Sequence, residues 1–158
     1  MKKNIGASLL FVAIGIFILG WMSSRLPVAD AAASYNPRNG DPCTLNLRVS
    51  APVNLAASGQ VIPGVAGKYT YLCHIFVITT GSQNIALVEG TGTTCATGIA
   101  GMAGGTTAAT GWILAANQLI NEGNGAAQIN ATATAGDNIC LLLSGTGQTS
   151  GSIQYVQQ

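Results

Sequence analysis

Beyond residue 34, apolar residues recur at every second position in short runs, and glycine, proline or asparagine breaks each run before it grows long. A period of two puts one side-chain set on one face of a strand, whereas an amphipathic helix needs a period near 3.6. No segment of this region carries a helical apolar stripe. The chain is therefore committed to short strands joined by tight turns.

Cys43, Leu45, Leu47 and Val49 alternate with polar residues, which predicts a half-buried strand that Pro52 closes. Gln60 to Ile62 is a short strand candidate, followed by turn signals at Pro63-Gly64 and Ala66-Gly67. Lys68 to Thr79 reads as the longest strand, with Tyr69, Tyr71, Cys73, Ile75 and Val77 on one face and Leu72, His74, Phe76 and Ile78 on the other. Apolar residues on both faces mark a central strand. Gly81-Ser82 turns it into a hairpin partner, Asn84 to Glu89. Further strand candidates lie near Cys95, at Trp112 to Ala115, Ala126 to Thr134, Ile139 to Leu143 and Ser152 to Val156. Asn121-Glu122-Gly123-Asn124-Gly125 reads as a turn. The expected fold is all-β: a two-sheet sandwich or jelly roll of seven to eight short antiparallel strands. A flattened barrel has the same periodicity.

The first residues follow another rule. Lys2 and Lys3 precede an apolar run from Ile5 to Met22, and small residues follow at Ala29-Asp30-Ala31 and Ala31-Ala32-Ala33. A basic start, an apolar middle and a small-residue end describe a secretory signal. The run is also just long enough to span a bilayer as an uncleaved anchor helix. Either way the remainder is exported. The expected organisation is residues 1–33 as signal peptide or anchor, 34–42 as a leader, and 43–158 as one β-sandwich domain.

Export gives the cysteines their meaning. All four, Cys43, Cys73, Cys95 and Cys140, lie beyond the apolar run. An even count in an exported chain predicts two disulfides, in any of three pairings. Structural zinc needs ligand pairs two to four residues apart, and no such pair exists. His74 directly follows Cys73, so strict alternation puts the two on opposite faces and argues against a thiol–base pair.

Charge excludes other classes. After the apolar run and its flanking Arg25, the cations Arg38, Arg48 and Lys68 face Asp41, Glu89, Glu122 and Asp137. There is no basic footprint for nucleic acid. The acids sit at strand ends and in turns, where they read as solubilising groups rather than a glycosidase pair. Gly101 to Gly105 lacks the ending of a phosphate loop. No catalytic residue, cofactor or metal ligand is predicted. Trp112, Tyr71 and Tyr155 are the candidate binding surface, as a sugar platform, a core filler or a subunit seam. Asn130-Ala131-Thr132 matches a glycosylation acceptor, relevant only in a host that has the machinery.

Several segments together resemble a family. They are Ala66-Gly67-Lys68, the run from Ala86 to Cys95, Thr110-Gly111-Trp112, Ala115-Ala116-Asn117, Gly123-Asn124-Gly125, the run from Gly136 to Leu143, and Val156-Gln157-Gln158. In their order they resemble the short β-sandwich domains of bacteriophage structural and tail-associated proteins and related viral sequences, over roughly Cys43 to Gln158. The resemblance implies a non-enzymatic, often oligomeric surface, coat, fibre or filament component, and supplies no catalytic residues. The N-terminal segment departs from that pattern, since virion proteins seldom need export. The expectation is a self-associating structural subunit, secreted, on a cell surface or in a virion. A glycan- or receptor-binding module is the alternative. Membrane association is expected only through an uncleaved N-terminal segment.

Overall fold

The computed structural model describes residues 40–158. The expected signal or anchor, and most of the expected leader, lie outside them. The described chain forms a two-sheet antiparallel sandwich. Its elements are a helical turn α1 (Pro42–Leu45), then β1 (Val49–Leu55), β2 (Gly59–Ile62), β3 (Thr70–Thr79), β4 (Gln83–Thr91) and β5 (Thr97–Ala103). A 3-10 turn (Ala108–Thr110) precedes β6 (Trp112–Leu114), β7 (Leu119–Glu122), β8 (Asn130–Ala131), β9 (Asn138–Leu143) and β10 (Thr149–Gln157).

One sheet has the order β1-β10-β3-β7, with β8 also on β3; the other has β2-β9-β4-β5, with β6 also on β4. Ten strands thus fill eight lateral positions. β7 pairs with Ile75–Ile78 and β8 with Tyr71 and Leu72, so both share one edge of β3. β6 pairs with Gln83–Ile85 and β5 with the stretch from Leu87 to Thr91, along one edge of β4. The expected count of seven or eight misses this splitting of the two outer positions. Strand β7 runs into the segment read as a turn, Asn121 to Gly125, and takes its first two residues.

The core forms between the sheets. Leu72, Ile75 and Val77 of β3 meet Ile85 and Leu87 of β4, Ile139 and Leu141 of β9, and Ile153 of β10. The last five, like Leu72 and Val77, have no exposed surface. Each such side chain contributes about 1.5–3 kcal/mol through loss of apolar surface from water. At one end Gln83 is buried among Thr79 and Thr149, its amide nitrogen donating to both hydroxyl oxygens at 2.6 and 2.7 Å. That network partners the Gln83 amide nitrogen where the layers close, while its Oε1 is buried without a hydrogen bond among the described residues.

β3 corrects the predicted face assignment. Its pairing with β10 slips one residue: Gln154 opposes His74, while Tyr155 opposes Leu72. Cys73 is the extra residue of a β-bulge. Thr70 and Leu72 face inward before it; Ile75, Val77 and Thr79 face inward after it. Cys73 and His74 consequently lie on the same outer face, contrary to strict alternation.

The stretch from Cys43 to Val49 is a second correction. Its alternation does not make a strand. Pro42 begins a helical turn, and the Asp41 carboxylate accepts a hydrogen bond from the Cys43 amide at 2.8 Å as its cap. The strand starts only at Val49 and runs through Pro52, which sits inside β1 rather than ending it. An edge strand tolerates proline because its outward amide has no partner to lose.

Candidate functional site

Residues 41–48 form a strap across the outer face of the β1-β10-β3-β7 sheet. A disulfide and several hydrogen bonds hold it. Cys43 bonds Cys73 of the bulge, with 5.6 Å between the Cα atoms. The second Asp41 carboxylate oxygen accepts from the Gln128 amide at 2.8 Å. The Thr44 hydroxyl donates to the Ala126 carbonyl at 2.6 Å. The Arg48 guanidinium donates to the Gly125 carbonyl. Gly125 has φ +81, and a Cβ there would stand 2.7 Å from the Arg48 nitrogen. Glycine is needed for both the backbone conformation and the approach of Arg48. Asp41 and Pro42, read as leader, are therefore part of the fold.

The strap creates two shallow grooves with Leu45 and Asn46 common to both. One, of about 530 Å³, is lined also by Tyr71, Gln128 and Gln158. Its chemistry is an aromatic ring beside side-chain amides. Asn46 donates to Gln158 at 2.9 Å, which fixes part of that rim. The other groove runs along Leu47, Val49, Lys68 and Tyr155. Tyr71 packs on the Cys43–Cys73 bridge with Val156, while Tyr155 packs against the main core. Trp112 is on β6 in the opposite sheet, half-buried against the core. The structure thus brings the two tyrosines to the strap and leaves Trp112 apart; the three do not make one platform.

The second disulfide is the mirror of the first. Cys95 bonds Cys140 of β9 and secures the loop after β4 to the outside of its sheet, where both sulfurs pack with Ala86 and Val88. Neither bridge crosses between the sheets. Sequence separation alone left the pairing open, because it depends on which loop passes over which face. Two disulfides are typical of extracellular proteins.

Glu89 is the residue whose place the sequence concealed. It is 3 % exposed, not a surface solubiliser. Its carboxylate accepts from the Ala133 amide at 2.7 Å and also from the Thr134 amide. Burial raises its pKa, the two amides oppose that, and the neighbouring Asp137 charge adds to the rise. Asp137 is buried as well. The pair lies inside the fold, locking the segment before β9, and does not face an open cleft. His74 accepts or donates one hydrogen bond, to Asn121 at 2.8 Å on the outer face. No group of three metal-ligating side chains is assembled among the described residues.

Compared with protein-family models, with curated proteins and with solved structures, the chain matches none.

Proposed function

We propose that this chain is a non-enzymatic structural subunit of an extracellular or virion assembly, self-associating through the surfaces of a jelly-roll sandwich. One observation carries the reading: the strand order β1-β10-β3-β7/β8 opposite β2-β9-β4-β6/β5. It is the order of two interleaved Greek keys, as in the jelly rolls of viral capsids and lectins. Fold alone does not select a function, so the surface has to add to it. Phe76 and Leu119 on one outer face, and Ile113 on β6 in the other sheet, are exposed apolar residues on a body with few charges to keep copies apart. Export through the N-terminal segment and the resemblance to phage structural domains belong to the same proposal. Native mass measurement of the exported protein tests it. Discrete oligomers, or recovery in a particle fraction, are expected. A strict monomer at every concentration, absent from particles, refutes it.

The groove at Tyr71 favours a second reading, a glycan-binding module. A ring flanked by Asn46, Gln128 and Gln158 offers one apolar face and several uncharged hydrogen-bonding groups, which suits a neutral sugar. A glycan array should then show binding that Tyr71→Ala abolishes. Binding unchanged by that replacement, or none at high protein concentration, removes the reading.

A further inference from the structure

The described fold begins at the strap, and there three aliphatic side chains stand in water. Leu47 is 96 % exposed, Leu45 68 % and Val49 53 %. Single exposed aliphatics are ordinary. These three share one groove with Lys68 and Tyr155, and a contiguous apolar surface calls for a partner.

Charge identifies the partner. Arg48 and Lys68 are the only lysine or arginine among the described residues, and both belong to this end. Asp41 is the acid beside them, with both carboxylate oxygens turned onto backbone amides. Asp137 and Glu89 are buried, and Glu122 lies on β7 opposite Ile75. A second copy docked patch to patch would set these cations against their own kind. An anionic lipid surface would meet them favourably and accept the aliphatics.

The length of the preceding chain points the same way. The apolar run ends at Met22, and the described fold begins at Gly40. So short a connection spans at most about 60 Å when fully extended. Wherever that run is retained in a bilayer, this end of the fold is tethered within reach of the lipid surface.

We propose that the strap end is a membrane-docking face. Leu45, Leu47 and Val49 enter the interfacial layer of an anionic bilayer, while Lys68, which lines the same groove, meets headgroup phosphates. The proposal does not depend on self-association.

The test uses the full chain in vesicles of phosphatidylcholine and phosphatidylglycerol. All four native cysteines are bridged, so Leu47→Cys supplies a single thiol for an environment-sensitive fluorophore. Ile113→Cys, at an 82 % exposed position in the other sheet, is the reference, and near-ultraviolet dichroism checks that each variant is folded. The label at 47 should shift to the blue and be quenched several-fold more by nitroxide lipids than the label at 113. Lys68→Glu, or omission of phosphatidylglycerol, should reduce that difference. Equal quenching at both positions overturns the proposal. So does indifference to Lys68→Glu and to anionic lipid together. Quenching of the label at 47 by a nitroxide on a second protein copy, but not by lipid, assigns the face to self-association instead.

Discussion

Replacing Cys95 and Cys140 together by alanine would release the larger of the two cross-linked loops. Their separation is 45 residues, against 30 for Cys43 and Cys73. Loop-closure entropy in the unfolded chain then gives a stabilisation of about 4.0 kcal/mol for Cys95–Cys140 and about 3.6 kcal/mol for Cys43–Cys73. Packing widens the gap. Cys95 and Cys140 are fully buried with Ala86 and Val88, so truncation also opens a small void. The Cys43–Cys73 bridge instead fastens a strap that can detach while the sheets remain paired, which returns part of its entropic benefit. Urea unfolding, followed by fluorescence and far-ultraviolet dichroism, should show the loss of Cys95–Cys140 as the costlier one. A loss of that size is a large share of a domain's usual stability of about 5–15 kcal/mol. A cost below about 1 kcal/mol for that double variant, or the reverse order between the two bridges, would refute the chain-entropy argument applied to this fold.

Other predictions follow from buried groups. Because the folded-state pKa of Glu89 is raised, the native state holds the proton more tightly than the unfolded chain. Its stabilising share is complete below the unfolded value near 4.5 and is lost as pH rises through the folded value. Relative to Glu89→Gln, the parent protein should therefore lose stability as pH rises above about 4.5; parallel urea-midpoint profiles would contradict this. Gly151 has φ +149 on β10, and a Cβ there would run into the Phe76 carbonyl of β3. Gly151→Ala should cost at least about 1–3 kcal/mol, measured as a lowered denaturation midpoint. Leu87→Ala empties a fully buried core site and should cost about 2–5 kcal/mol in the same assay. In a glycosylating host, folded protein should carry no glycan at Asn130. Its amide donates to the Met102 carbonyl, and the Thr132 hydroxyl is buried, accepting from the Thr70 amide at 2.9 Å. Intact-mass spectra of folded secreted material decide it.

Much of the sandwich was legible because its central strands are long and sharply bounded. Strands β3, β4, β9 and β10 follow from apolar runs between turn residues, but the hairpin expected at Gly81-Ser82 does not form: that turn carries the chain from one sheet to the other, so β3 pairs with β10 and β7 while β4 pairs with β9 and β5. What escaped was set by contacts distant in sequence. Alternation through Leu45, Leu47 and Val49 reads as a strand, yet Asp41, Pro42 and the bridge to Cys73 turn it into a strap. Periodicity cannot see the bulge at Cys73, because the extra residue exists only relative to β10. Glu89 looks like a strand-end solubiliser until the segment before β9 folds over it. Of the candidate surface, Tyr71 and Tyr155 flank the strap, whereas Trp112 belongs to another sheet. Aromatic content alone carries no position.

The two interrupted outer positions make the sandwich lopsided. On that flank, β5 with β6 and β7 with β8 offer only broken rows of backbone groups to an incoming chain. The opposite flank presents β1, a seven-residue run with Pro52 near its middle, and the four-residue β2. Recruitment of a neighbour by backbone pairing has one usable side. Two molecules that met through β1 would each consume the edge of that sheet, and growth along it would halt at a pair; longer arrays would have to be built from side-chain contacts on the broad faces.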